Sequence, residues 1–204
     1  MATQKFNAND SSFLQILKLH FINKQSEMKK ILIFAFFVGL TNTIFAQNWK
    51  PVTAGVNFKM KMLGTSVNGN FKGFSGILKF DPNDLANSIL LGSVDASTID
   101  TDNSLRNRHL KEKEDFFNVA KYPKLKMKTT KIEKDGNNYV GYFDLTIKEI
   151  TKNVKIPFIF KQEGDKATFQ GSTVINRRDW GVGGGTFGMG DNVTFTITVN
   201  SIKE

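Results

Sequence analysis

Histidine and cysteine, the side chains that most often carry catalysis and metal binding, are scarce in this sequence. It has no cysteine, and His109 is the single histidine beyond residue 46. A thiol nucleophile and a cysteine-ligated metal are therefore excluded, and one histidine cannot supply the ligands of an ordinary zinc site. No nucleophile or orienting acid flanks His109 in the pattern of a catalytic triad. The sequence thus predicts no enzyme, no metal and no cofactor.

Three other side-chain positions could contact the polar group of a ligand. Arg106 and His109 are three residues apart, so a helix would place them on one face. We expect this pair either to contact a polar head group or to hold its helix in place. Arg177 could bind an anionic head group bidentately, or could instead pair with Asp115 or Asp179 and fix its loop.

A glycine-rich segment, residues 181–190, superficially resembles a phosphate-binding loop. It lacks the Gly-Lys-Ser/Thr ending of that motif, and no helix is predicted to follow it, so the motif fails. We expect this segment to be a mobile flap at the rim of the fold, with Phe187 and Met189 as its apolar tips.

The N-terminal residues carry the pattern of a secretory signal peptide. Lys29 and Lys30 precede an apolar run, and Ala46 offers a small residue for cleavage. The apolar run is short for a membrane span, so a retained anchor is the weaker alternative. We therefore expect residues 28–46 to be a signal peptide and residues 1–27 to be an upstream extension or a misplaced start.

Cleavage near Ala46 would deliver residues 47–204 to the periplasm or to the cell exterior, as one domain with its own core. This part holds 23 Lys and Arg residues against 17 Asp and Glu residues, a net charge of +6. The lysines mostly alternate with apolar residues and form no basic tract, which argues against nucleic-acid binding. The positive surplus could favour a transient contact with a membrane surface. The sequence leaves the oligomeric state open.

Alternation of apolar and polar residues, the pattern of a strand with one buried face, dominates residues 47–204. The clearest run, residues 193–199, alternates Val, Phe or Ile with Thr. Eight such runs can be counted, and they are joined by turn sequences such as 134–137 and 162–165. Strands joined by short turns predict an antiparallel meander.

One interval, residues 102–114, breaks the alternation. Apolar residues there recur at helical spacing, and Asp102 or Asn103 could cap the first turn. We therefore expect one short helix between strands 3 and 4.

Closure into a barrel removes the two exposed edges of an eight-stranded meander. The inward-facing set is rich in Phe, Met, Leu and Ile, and the outward-facing set is rich in Lys, Thr and Asn. An outer-membrane barrel has the reverse arrangement, so we expect a water-soluble, all-β, eight-stranded antiparallel barrel. A barrel of this size either fills its interior with side chains or holds one small ligand. The number of strands alone does not decide between a filled interior and a hollow one.

Ten inward-facing apolar residues are our candidates for contact with an apolar ligand. They are Phe58, Met60, Phe74, Leu78, Phe143, Leu145, Ile156, Phe158, Phe195 and Ile197. Strands of this length, at a rise of about 3.3 Å per residue and a tilt of about 40°, make a barrel roughly 25 Å tall. An extended chain of about twenty carbons would fit such a barrel if it were hollow throughout.

Several sequence blocks occur in a familiar order. Arg106-Asn107-Arg108-His109-Leu110 is followed by Asp115-Phe116-Phe117-Asn118, and Ile175-Asn176-Arg177-Arg178-Asp179-Trp180-Gly181 comes later. Further blocks are Trp49 and residues 56–58, 67–76, 96–101, 122–123, 144–148 and 151–152. Together they resemble the YceI-like family of lipocalin-like, polyisoprenoid-binding proteins over nearly all of residues 49–202. Asn107, Glu149 and Trp180 depart from that family's usual Asp, Gly and Phe.

The resemblance implies a lipocalin-like barrel in the periplasm that holds a long isoprenoid lipid, or a quinone-type molecule, for carriage or storage. It implies no catalytic residues. Two rival functions stay open beside it. One is a structural or stress-response protein of the cell envelope with a filled core, and the other, less favoured, is an enzyme built on a lipocalin-like barrel.

Overall fold

A computed structural model of the protein describes residues 18–20, 24 and 46–204. The chain divides into two compact units, Met1–Ile44 and Phe45–Glu204. The described residues of the first unit are helical. The predicted signal peptide and upstream extension fall almost wholly outside the described residues. No helix within the described part of the chain is long and apolar enough to cross a membrane.

Nine antiparallel strands, one more than the sequence predicts, lie within residues 46–204. They are β1 (Asn48–Met62), β2 (Thr65–Phe71), β3 (Ser75–Lys79), β4 (Ile89–Asp95), β5 (Lys124–Asp135), β6 (Asn138–Ile147), β7 (Ile150–Glu163), β8 (Lys166–Asn176) and β9 (Met189–Lys203). The same residues contain one α-helix and three short 3-10 turns. These are α1 (Ser104–Glu112), Leu85–Asn87, Ala96–Thr98 and Arg177–Trp180.

The ninth strand arises because one predicted strand is interrupted. β2 pairs with residues 56–62 of β1, and β3 continues in the same register to pair with Asn48 and Trp49. Residues 72–74 leave the ladder between them. Gly73 has a φ of +69° at this break, a conformation that costs a residue with a Cβ more than it costs glycine.

The sheet closes on itself through β1 and β9. These strands pair along nearly their whole length, with register shifts after Pro51 and Met60. With β2 and β3 counted as one interrupted strand, the fold is a closed eight-stranded antiparallel barrel, which confirms the predicted architecture. Closure pairs both edges of the sheet, so neither edge offers a template for another strand.

Tight turns join the strands where the sequence predicts them. Gly136 and Gly164 lie in the two-residue connections β5–β6 and β7–β8, with φ of +58° and +61°. Glycine takes this left-handed conformation without the steric cost of a Cβ. At the other end of the barrel, the β1–β2 turn consists of Leu63 and Gly64, and the Leu63 side chain is exposed.

Helix α1 lies in the long connection between β4 and β5, close to its predicted position. It begins after Asn103, whose side-chain oxygen accepts a hydrogen bond from the Arg106 backbone N–H at 2.8 Å. Asn103 is therefore the N-cap, one of the two residues predicted for that role. Leu110 joins a buried cluster with Phe71 and Ile99, which packs the helix against one end of the barrel.

Aromatic side chains fill the other end of the barrel. Phe80 is fully buried, and its ring centroid lies 4.7 Å from that of Phe160 and 5.1 Å from that of Tyr139. The Trp49 indole N–H donates to the Phe80 carbonyl oxygen at 3.0 Å. Each ring buries about 150–250 Å², and most of the ring contacts are edge-on or tilted. The interior at this end is consequently close-packed.

Candidate ligand-binding cavity

The other half of the barrel interior is hollow. A cavity of about 530 Å³ lies there, at the end of the barrel that carries α1. Small-molecule sites usually have volumes of about 300–1,000 Å³. Inward-facing side chains of β1, β6 and β9 form much of the wall, and α1 and two loops complete it. The cavity is large enough for one ligand, and its wall is mostly apolar.

All ten predicted ligand-contacting residues face the barrel interior, as strand parity indicates. Those that border the large cavity are Phe58, Met60, Phe74, Leu145, Phe195 and Ile197. The other four lie deeper, around a separate void of about 60 Å³. These are Leu78, Phe143, Ile156 and Phe158. Strand parity gives the direction of a side chain but not how far along the barrel the hollow part extends.

Solvent exposure marks the same division of the interior. Phe58, Phe195 and Ile197 point inward in the open half, yet they are only partly buried. Phe143 and Phe158, in the packed half, are 4% and 5% exposed. An inward-facing apolar residue in a filled core loses nearly all contact with solvent. The open half therefore presents apolar surface that a ligand could cover.

Loop residues form part of the cavity wall, and the alternation of apolar and polar residues in the sequence does not predict them. Phe116 and Phe117 follow α1 and border the cavity together with Leu110. Val182, in the connection between β8 and β9, closes another side. Loops have no apolar periodicity, so the Asp-Phe-Phe block of the family resemblance was the one sequence signal for these aromatic residues.

Arg106 borders the cavity but is held by the segment before the helix. Its Nε donates to the Thr101 hydroxyl at 2.8 Å, and its Nη2 donates to the Thr101 carbonyl oxygen. The Asn107 amide accepts from Thr101 and donates to the Asp100 carboxylate at 2.9 Å. This bond, with one from the Asp102 backbone, holds the pKa of Asp100 below its usual value. An aspartate at position 107 could not donate to Asp100, so Asn107 suits this network.

His109 and Lys113, the C-cap residue directly after α1, extend a basic face along one side of the helix and past its C-terminal end at the cavity mouth. They lie three and seven residues after Arg106, a spacing that repeats on one side of a helix. All three side chains border the cavity, and those of His109 and Lys113 are exposed. Lys113 was not among the predicted candidates, although its spacing from His109 could have indicated it. The mouth thus offers N–H donors to a polar or anionic ligand group.

Arg177 is buried beneath the glycine-rich connection and makes five hydrogen bonds. Four of them, 2.7–3.1 Å long, go to the backbone carbonyl oxygens of residues 182, 184, 189 and 190. The fifth goes to the Asp191 carboxylate at 3.1 Å. A guanidinium has five N–H groups, so all of them are engaged within the protein. Burial lowers the pKa of Arg177, and the Asp191 carboxylate opposes that shift. The partner is Asp191, not Asp115 or Asp179 as we considered from the sequence.

Gly183 fixes the course of the same connection. Its backbone N–H donates to the Asp115 carbonyl oxygen, and its φ is +74°. A Cβ at this position would lie 3.0 Å from atoms of Arg177, Met189 and Phe116. Glycine is the residue that satisfies both constraints, because it alone has no Cβ.

Three exposed apolar side chains lie on chain segments that border the cavity mouth. Phe187 is 88% exposed, Leu63 is 66% exposed and Leu105 is 53% exposed. The Leu63 backbone N–H donates to the Gly188 carbonyl oxygen at 2.7 Å, which places the β1–β2 turn beside Phe187. Leu105 borders the cavity itself, as does Met189, two residues after Phe187. We call Leu63, Leu105 and Phe187 the apolar rim.

Residues 18–20, 24 and 46–204 assemble no candidate metal site. Acidic and histidine side chains there form no group of three or more that could hold a metal ion. Every buried side-chain nitrogen or oxygen in this part of the chain has a hydrogen-bond partner. An apolar cavity with a few polar groups at its mouth is the usual arrangement of a small-molecule binding site.

Comparison with known proteins assigns this barrel to a family. The profile of the YceI-like domain matches residues 48–201. This chain belongs to the YceI-like family. The match includes nearly all of the barrel, from the first residue of β1 to residue 201, near the end of β9. Protein YceI of Escherichia coli is 28% identical to the chain over 191 residues, which cover 87% of this chain and 100% of that protein.

Two solved structures are similar to this YceI-like barrel. Burkholderia cenocepacia BcnA has a TM-score of 0.68 and 28% identity, over 72% of this chain and 95% of BcnA. A Saccharophagus degradans domain, described as a polyisoprenoid binding domain implicated in plant cell wall breakdown, has a TM-score of 0.55 and 12% identity, over 78% of this chain and 99% of that domain. At such low identity, the second similarity shows a shared fold alone.

Proposed function

We propose that this YceI-like protein is exported and binds one long apolar molecule, an isoprenoid or quinone-type lipid, for carriage or storage in the cell envelope. The hollow apolar half of the barrel is the observation that carries the proposal. A purely structural protein would need only a packed core of the kind seen at the other end. The Saccharophagus degradans domain of the same fold is described as polyisoprenoid binding, which agrees with a lipid-type ligand.

Burial of apolar carbon would supply most of the affinity. Each methylene that leaves water contributes about 0.8 kcal/mol, so about ten buried carbons contribute roughly 8 kcal/mol. A gain of this size offsets much of the cost of association. Because the far end of the barrel is packed, the tail would enter through the mouth, and the polar end of the ligand would stay there.

The polar end of the ligand would lie against the basic face of α1. Arg106, His109 and Lys113 border the cavity at this point and can donate hydrogen bonds to an anionic group such as a phosphate. Arg177 lies nearby, but its five N–H groups already hold the glycine-rich connection. Its contribution to binding would come from holding that wall of the cavity in place.

Titration of the chain with a fluorescent prenyl alcohol and with the matching prenyl phosphate tests this proposal. Both probes should bind saturably, one per chain. The double variant His109→Ala, Lys113→Ala should bind the phosphate roughly 5–30-fold more weakly, as expected for the loss of two exposed polar contacts of about 0.5–1 kcal/mol each. Binding of the alcohol should barely change. Arg108→Ala, on the same helix but away from the cavity, is the matched control.

Two outcomes of this titration would count against the proposal. If neither probe bound saturably to the unaltered chain, the apolar-ligand function would be wrong. If the double variant lost affinity for the alcohol and the phosphate equally, the apolar site would stand, but the basic face of α1 would not be the head-group contact.

The apolar rim gives the expected membrane contact a specific location. We infer that Leu63, Leu105 and Phe187 enter a lipid surface while the ligand is exchanged, because these exposed side chains lie on segments that border the opening through which the tail must pass. Burying a large apolar side chain contributes about 1.5–3 kcal/mol. Leu63→Ser combined with Phe187→Ser should therefore lower binding to anionic vesicles at least tenfold in a co-sedimentation assay.

The control for this vesicle assay is the pair Val52→Ser and Ile77→Ser. These side chains are nearly as exposed as that of Leu63, at 61% and 62%, but they lie on the barrel wall away from the mouth. An equal loss of vesicle binding in the control and in the rim variant would show that the contact is not located at the mouth.

A further inference from the structure

The barrel interior contains two voids that share part of their walls. Four residues border both the large cavity and the smaller void beyond it, and these are Phe74, Gly92, Met127 and Ile197. The smaller void of about 60 Å³ lies among the packed aromatic residues. The shared residues therefore form a partition across the barrel, at the depth where the hollow half ends.

Phe74 is the largest side chain of this partition, and the backbone is built to accommodate it. It lies in the interruption between β2 and β3, directly after Gly73 with its positive φ. Gly76 and Gly92 face each other across β3 and β4. A Cβ on either glycine would lie 3.0 Å from the Phe74 ring. The paired glycines thus leave a bare patch of sheet on which the ring rests.

Packing on both faces shows that the Phe74 ring separates the two halves. It contacts the buried cluster of the packed end and also the cluster that contains Phe71 and Leu110 at the open end. Phe74 is nevertheless only partly buried, because one side of the ring faces the large cavity. A ligand tail that entered from the mouth would meet this ring before it reached the deeper void.

We propose that Phe74, supported by Gly76 and Gly92, sets the length of ligand tail that the barrel accepts. This inference rests on the proposed apolar-ligand function and adds a residue that determines selectivity. Removal of the ring would join the two voids and extend the cavity toward Phe143 and Phe158. The variant should then bury tail carbons that the unaltered protein leaves at the mouth, in contact with water.

A series of prenyl alcohols that differ by one isoprene unit tests this proposal. In the unaltered chain, affinity should rise with each added unit and then level off once the tail reaches the partition. Phe74→Ala should move that limit to a longer alcohol. Its affinity for the longer alcohol relative to the shorter one should rise about tenfold or more, since each buried methylene raises affinity severalfold. Phe74→Leu, a milder change that keeps apolar bulk, should move the limit in the same direction and serves if the alanine variant does not fold.

Phe117→Ala is the matched control, because it removes the same ring from the large cavity above the partition. In Phe117→Ala, affinity should level off at the same tail length as in the unaltered chain. An unchanged limit in both Phe74 variants would overturn the role of Phe74 and leave the proposed function intact. The role of Phe74 would also be overturned if, in the unaltered chain, affinity kept rising with every added isoprene unit. Failure of every alcohol to bind would overturn both proposals together.

Discussion

Replacing Val193 by tryptophan should weaken binding of the apolar ligand roughly a hundredfold while the barrel stays folded. Val193 lies on β9, where it pairs with Met60 of β1 and Ile175 of β8. All three residues border the large cavity, and Val193 is only partly buried. An indole at this position would occupy space that the tail needs. Displacing three or four methylenes at about 0.8 kcal/mol each raises the dissociation constant roughly a hundredfold.

The control for this substitution is Val174→Trp on the neighbouring strand. Val174 points outward and is 56% exposed, so the same indole there leaves the interior untouched. The prenyl-probe titration should give the dissociation constant of the unaltered chain. The indole of Val193→Trp enters space that is already present. The unfolding free energy of this variant should therefore differ from that of the unaltered chain by at most about 1 kcal/mol. A Val193→Trp variant that bound the probe as tightly as Val174→Trp would place the ligand outside the barrel.

Arg177→Met should destabilise the fold by about 3–5 kcal/mol, because it removes a buried guanidinium that donates to four backbone carbonyl oxygens. The substitution leaves four backbone carbonyl oxygens without this donor, and it leaves the Asp191 carboxylate with Arg178 as its remaining partner. Each buried acceptor left unpaired adds its own desolvation cost. Urea unfolding of the variant and of the unaltered chain measures the difference in free energy.

Arg178→Met is the matched control for this experiment. Arg178 donates to the same Asp191 carboxylate at 2.6 Å, but its side chain is 53% exposed. Exposed ion pairs contribute about 0–1 kcal/mol, so the loss there should stay below about 1 kcal/mol. Similar losses in the two variants would mean that burial of Arg177 and its backbone bonds contribute little to stability.

Most of the barrel could be predicted because each strand has one face inside and one outside. Residues 193–199 alternate for this reason, and β9 forms around them. The interruption at residues 72–74 could not be predicted in this way. Phe74 is the apolar residue that an uninterrupted strand would carry there, and the break depends on the backbone conformation of Gly73.

The division into hollow and packed halves depends on contacts between distant residues. Phe58 and Phe158 have the same residue type and the same alternating context. Phe158 meets Phe80 with ring centroids 5.8 Å apart, in a cluster drawn from several strands, whereas Phe58 borders the cavity. Local patterns carry no information on which rings converge across a barrel. Closure brings them together only after all strands have paired.

The candidate head-group residues show the same limit at the level of single side chains. Arg106, His109 and Arg177 were all singled out by type, and all three border the cavity. The structure separates them by their partners. Arg177 is fully engaged with the carbonyl oxygens of a loop that has no sequence periodicity, while His109 is exposed at the mouth. Spacing along a helix could have added Lys113, but no local pattern could have found the partners of Arg177.

The central claim is that the hollow half of the barrel holds one apolar molecule. Native mass spectrometry of the protein, isolated from the cells that produce it and never treated to remove lipid, tests this claim most directly. We predict a complex of one chain, beginning at Gln47, with one apolar molecule that is released on denaturation and is absent from Val193→Trp. A protein that carried no ligand, and that took up none when offered prenyl alcohols, would contradict the account.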